Sequence, residues 1–140
     1  SREEIIMYSK EILERFKSPK FAGGLRGANG TGKSGDDKCG DIIKIYILVD
    51  EDGVIDSAKF KAYGGVSTIV ACDVACEMLI GMSLEEALGL TSHDILEHIE
   101  NDIPQNRYYS AVIVEEAINN AVEDYYKRKE REEKKALKEM

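Results

Sequence analysis

Cys39 and Asp41 stand two residues apart in the run Lys38-Cys39-Gly40-Asp41, at the head of the strand-like segment Ile42 to Val49. A thiolate is the nucleophile and soft-metal ligand of proteins and a carboxylate is an oxygen donor, so the two could share one ion. Gly40 lets backbone or a bound group approach closely, and the neighbouring Lys38 ammonium favours the ionised thiol. These flanks are polar rather than apolar, so the reading as a site outweighs that of an incidental loop cysteine. Cys39 and Asp41 are therefore the candidate metal-binding or sulfur-accepting residues, with Asp41 either a second ligand or a competitor that tunes how firmly an ion is held.

A second pattern is more conspicuous. Residues Gly27-Ala28-Asn29-Gly30-Thr31-Gly32-Lys33-Ser34 satisfy the phosphate-binding expression G-x-x-x-x-G-K-[ST], in which backbone N–H groups cradle phosphates. That geometry requires a buried strand before the loop and a helix starting at its Lys-Ser, because the helix N-terminus supplies donors and dipole. Upstream lies Phe21-Ala22-Gly23-Gly24-Leu25-Arg26, and downstream Gly35-Asp36-Asp37 breaks a helix and sets carboxylates where phosphate would sit. The stretch reads as a flexible loop and not as a nucleotide site.

Cys72 and Cys76 are one helical turn apart and share a face with Ile69, Leu79 and Ile80, so they read as core thiols packed as small hydrophobes. His93 and His98 are five apart, do not align on a helix, and read as surface residues.

The elements that position these groups follow from periodicity. Ile5, Tyr8, Ile12 and Phe16 recur at helical spacing, so an amphipathic helix is expected from Glu3 to Lys17, stopped by Ser18-Pro19. Residues 21–40 read as glycine-rich loop with one short, irregular strand. Strand-like runs at 42–49 and 54–63 are joined by Asp50-Glu51-Asp52-Gly53, a hairpin turn. Ser67 is the expected N-cap of a helix from Thr68 to Ile80, Ser83-Leu84-Glu85-Glu86 is a capping box opening a short helix, and Thr91-Ser92-His93-Asp94 opens another. After Pro104, Val114, Ala117, Ile118, Ala121, Val122 and Tyr125 mark a long C-terminal helix whose end, about 127–140, is charged and solvated. The expected class is α+β: a small antiparallel sheet of three strands built on a central hairpin, packed against helices, in a single domain over residues 1–140.

Composition narrows function. A net charge of −8 and a pI near 4.9 disfavour nucleic acid and anionic membranes as partners, and no basic stripe is evident along the chain beyond Lys127-Arg128-Lys129. No apolar run approaches a membrane span, and Ser1-Arg2-Glu3-Glu4 does not open a signal peptide, so a cytoplasmic location is expected. Three cysteines in such a chain suggest free thiols or a metal site rather than a disulfide framework.

Taken with Tyr8-Ser9, Phe16-Lys17-Ser18-Pro19, Asp52-Gly53-Val54-Ile55, Phe60-Lys61-Ala62-Tyr63-Gly64, Gly81 to Ala87 and Glu115-Glu116-Ala117-Ile118, the Lys38 to Asp41 run resembles the NifU-like, IscU-type scaffold proteins on which iron–sulfur clusters are assembled. The resemblance extends from Tyr8 to about Lys129. It implies a scaffold rather than an enzyme, with iron or an iron–sulfur cluster held at Cys39 and Asp41, a cysteine desulfurase as partner, and a homodimer as one way of building a shared site. The family pattern places three cysteines around the cluster. Here Cys39 and Asp41 match the first cysteine and its Asp, Gly65 stands at the second cysteine position, and Tyr109-Ser110 replaces the His-Cys pair, so the thiolate set that a cluster needs is degenerate. The family's chaperone-binding Leu-Pro-Pro-Val-Lys stretch reads Ile103-Pro104-Gln105-Asn106-Arg107. The alternative implied by these replacements is a cluster-free interaction module that docks on a desulfurase or another assembly partner.

Overall fold

The computed structural model describes residues 7–36, 38 and 40–140. Helix α1 (Lys10–Lys17) starts at Ser9, whose hydroxyl accepts from the Ile12 N–H at 3.2 Å, and it ends at Ser18, before Pro19. Tyr8 and Ser9 precede the helix rather than belonging to it, and the portion expected over residues 3–6 lies outside the described residues.

Three antiparallel strands follow in the order β1 (Gly30–Asp36), β2 (Asp41–Val49) and β3 (Ile55–Tyr63). In β2 every second residue is buried, so Ile43, Ile45 and Ile47 face the core while Ile42, Lys44, Tyr46 and Leu48 face outward, as the two-residue period of a strand requires. The β2–β3 turn is built by Asp50, whose Oδ1 accepts from the Asp52 and Val54 N–H groups at 2.9 and 3.0 Å, and by Gly53 at φ +77°. Positive φ is open to glycine without steric cost.

The short, irregular strand expected within residues 21–40 is the regular seven-residue strand β1, paired with β2 from Gly30↔Ile47 to Asp36↔Asp41. It carries no hydrophobic alternation because a helix backbone fills the space where side chains would be. A Cβ on Gly32 would collide with the Ala117 carbonyl and the Ala121 N–H, and one on Gly30 with the Ala121 carbonyl.

Helix α2 (Val66–Leu79) is buried almost all round, with Val70, Ala71, Cys72, Val74, Ala75, Cys76 and Leu79 in the core. It starts two residues earlier than the Ser67 cap implied. Gly65 occupies the cap position without a side-chain bond, and Ser67 is buried, its hydroxyl 2.7 Å from that of Tyr8. Ile80 leaves the expected face and is 41% exposed. Buried Asp73 on α2 accepts from Arg15 Nε at 2.8 Å and from the Phe21 N–H at 2.8 Å, fastening α1 and the segment after it to the core.

Helices α3 (Leu84–Leu88) and α4 (Ser92–His98) carry the capping boxes expected at Ser83/Glu86 and Thr91/Asp94. A short 3₁₀ turn (Gln105–Arg107) leads into α5 (Tyr109–Glu139). The first half of α5 buries Ala111, Val114, Ala117, Ile118, Ala121 and Val122; both α2 and α5 pack on the face of the sheet that carries Ile43, Ile45 and Ile47. Every residue after Arg128 is exposed, and that half remains helical, with pairs such as Glu130–Lys134 at 3.0 Å each worth about 0.3–0.5 kcal/mol. Among the described residues no helix is long and apolar enough to cross a membrane.

Candidate metal or sulfur site

Asp41 opens β2 directly after Gly40, which takes φ +77°. The core-facing register carries the Asp41 side chain inward, where it is 2% exposed. An acceptor-only carboxylate buried to that degree needs donors, since an unpaired one is strongly disfavoured. Two hydroxyls supply them: Thr68 Oγ1 donates to Oδ1 at 2.8 Å, and the Tyr109 hydroxyl donates to Oδ2 at 2.8 Å. Arg107 Nη2 stands 3.9 Å from Oδ1, its guanidinium 4.9 Å from the Tyr109 ring centroid. Ser110 is fully buried with its hydroxyl 3.3 Å from Thr68 Oγ1.

The glycine hinge before α2 closes the other side. A Cβ on Gly64 would strike Asp41 Oδ1, and one on Gly65 would lie 3.3 Å from Arg107 Nη2. The fold thus brings together Asp41, Gly65 and Ser110, which are far apart in sequence. Cys39 lies outside the described residues, so the structure gives its neighbour Asp41 and not the thiol itself. Thr68 and Arg107 are participants that the sequence reading did not single out. The available signal was a hydroxyl within an otherwise apolar helix and a cation two residues before Tyr109.

Cys72 and Cys76 are fully buried, in agreement with their reading as core thiols. Burial, then the neighbouring Cys76, Asp73 and Asp41, pushes the Cys72 thiol well above the ordinary range, and burial followed by Asp73 pushes Cys76 up as well. Both are protonated at neutral pH, the wrong state for a metal ligand. His93 and His98 sit on the surface, paired with Glu97 at 3.5 Å and Glu77 at 3.6 Å. Among the described residues no three histidine, cysteine or acidic side chains are grouped to hold a metal ion.

Known proteins give this geometry a context. The model of the NifU-like N-terminal domain matches residues 7–132. The chain belongs to that family. It is similar to the iron–sulfur cluster assembly scaffold protein IscU of Haemophilus influenzae, 36% identical over 121 residues that cover 84% of this chain and 94% of that one. It is also similar to the IscU of Azotobacter vinelandii, 35% identical over 125 residues covering 87% and 96%. Among solved structures, a SUF-system scaffold protein from Fervidobacterium islandicum superposes with a TM-score of 0.68 at 20% identity, covering 84% of this chain and 97% of that one. A NifU-like N-terminal protein from Brucella abortus gives 0.65 at 16% identity, covering 86% and 95%. In this chain the second half of the apparent phosphate loop is not a loop before a helix but the start of the antiparallel strand β1.

Proposed function

We propose that this chain is a scaffold-like protein of iron–sulfur cluster assembly, not itself an enzyme, in which Cys39 and Asp41 receive sulfur or iron as cargo. The observation that carries the reading is the seating of Asp41: a carboxylate held by Thr68 and Tyr109 at the mouth of the strand that Cys39 precedes, beside the Gly65 and Ser110 positions where the family has thiols.

With one thiol at those stations, sulfur acceptance is the step that asks least of the site. The Cys39 thiolate attacks the outer sulfur of a persulfide on a cysteine desulfurase. A new S–S bond forms at Cys39, the donor S–S bond breaks, and the electron pair leaves on the donor thiolate, so no external oxidant is consumed. Iron held by the resulting persulfide and Asp41 would still lack ligands within one subunit. Two subunits, each lending Cys39 and Asp41, complete a set of four.

Anaerobic reconstitution with ferrous iron, free cysteine and a cysteine desulfurase, which takes the persulfide sulfur from that cysteine, tests this, using absorption spectroscopy, iron analysis and mass spectrometry of the parent and of Cys39→Ser. The expected result is iron or a persulfide in the parent only; two colourless, iron-free and persulfide-free samples overturn it.

A second reading rests on the same carboxylate. Both Asp41 oxygens already accept hydrogen bonds, as they would in a cluster-free module that docks on a desulfurase. Desulfurase captured equally by the parent and Cys39→Ser, with no persulfide on either, would favour that module.

A further inference from the structure

Strand register assembles a basic face that is not visible along the chain. Lys33 of β1 is paired with Lys44 of β2, and Lys44 with Lys61 of β3; the adjacent row is Thr31, Tyr46 and Lys59. Neither row contains a carboxylate, nor does the row of Gly35, Ile42 and Tyr63. Among the described residues none of these four lysines forms an ion pair, and the Lys44 ammonium instead lies 5.2 Å from the centroid of the Tyr46 ring.

Like charges placed directly opposite across strands are destabilising, so this row does not serve the fold. It is also out of character for a chain of net charge −8. Helices α2 and α5 occupy the other face of the sheet, leaving Lys33 and Lys61 exposed and Tyr63 80% exposed. A groove of about 500 Å³ runs past Lys33, Lys44 and Lys61 and is otherwise largely apolar, with Pro19, Ala22 and Ala62 in its lining.

The sheet edges are already used. Phe21 and Gly23 bond to the backbone of Phe60 on β3, and α5 takes the Thr31 N–H and the Lys33 carbonyl through Asp124 and Asn120. An added strand therefore finds those edge groups taken, and recognition falls to side chains on the open face.

We infer that this face docks an acidic segment of a partner protein, one that sets carboxylates on Lys33, Lys44, Lys59 and Lys61 and apolar side chains in the groove between them. The rest of the surface repels anions, so a nucleic acid or an anionic bilayer meets repulsion beyond the patch, whereas a short acidic segment meets only the lysines.

Fluorescence anisotropy of a labelled glutamate–leucine peptide tests the inference, alongside a lysine–leucine peptide, a DNA duplex and phosphatidylserine vesicles. The acidic peptide alone is expected to bind, more weakly as salt is raised, and the sheet variant Lys44→Glu is expected to reduce its affinity about tenfold or more. Lys44→Glu sets a carboxylate between two ammonium groups, so it folds and raises Tm, which separates lost recognition from lost structure. Lys127→Glu with Lys129→Glu on α5 leaves binding unchanged.

Equal affinity of the parent and the sheet variant overturns the inference, as does preference for DNA or vesicles. A concentration-dependent dimer in sedimentation that the sheet variant abolishes would make a second copy the occupant and overturn it too.

Discussion

The Tyr109 hydroxyl donates to Asp41 Oδ2 at 2.8 Å, joining the first residue of α5 to the first residue of β2. With Thr68 on the other oxygen, the carboxylate is clasped by two helices.

Tyr109→Phe removes one of those donors from a buried acceptor, and urea unfolding is expected to show a loss of about 1–3 kcal/mol. The same variant frees Oδ2, so its iron content after anaerobic loading should exceed that of the parent. Adding Cys39→Ser should abolish the gain.

Gly32→Ala forces a methyl group into the backbone of α5 at Ala117 and Ala121, and a loss of about 1–3 kcal/mol or more is expected in thermal or urea unfolding. Lys33→Ala, whose side chain points to the open face, should not reduce Tm. Mg²⁺-ATP should shift the Tm of neither the parent nor Lys33→Ala, because a ligand that binds the native state must stabilise it.

Burial holds the Cys72 and Cys76 thiols protonated in the native state, while the unfolded thiols ionise from about pH 9. The native state then binds more protons than the unfolded one above that pH. Stability is unaffected by these groups below it and falls as pH rises beyond it. Urea midpoints measured from neutral to alkaline pH should therefore decline above about pH 9, and Cys72→Ala with Cys76→Ala should flatten the decline. Below that range, Ellman's reagent should modify these two thiols only as fast as the protein opens.

Arg15→Met leaves Asp73 buried without its cation at 2.8 Å. Breaking a buried pair from one side costs about 3–5 kcal/mol, and the loss should appear in urea unfolding. Asp73→Asn retains an acceptor for the Phe21 N–H and should cost less.

Much of this architecture was legible in the chain because its signals are local. Asp50 and Gly53 specify the hairpin, Ser83 with Glu86 and Thr91 with Asp94 specify two helix starts, and the apolar stripe through Tyr125 specifies α5. A strand within residues 21–40 was legible but its length and regularity were not, since Gly30 and Gly32 record the approach of a helix that lies about ninety residues further along the chain rather than a pattern of their own. Ser67 looked like a cap because a hydroxyl before an apolar helix usually is one; tertiary contact with Tyr8 decided otherwise. At the site, Asp41, Gly65 and Ser110 could be named from the family pattern. The hydroxyls of Thr68 and Tyr109 that satisfy Asp41 could not, because which donor reaches a buried carboxylate depends on register and helix placement.

The seating of α5 on the bare backbone of Gly30 and Gly32 has a reach beyond packing. Because that helix begins at Tyr109, the height at which it rides over the sheet fixes how closely the phenol meets the carboxylate. A bulkier residue at Gly30 or Gly32 would tilt the rod and loosen the clasp at its far end, so the hydrogen bonding of Asp41 can drift through changes at the opposite end of β1 from the carboxylate.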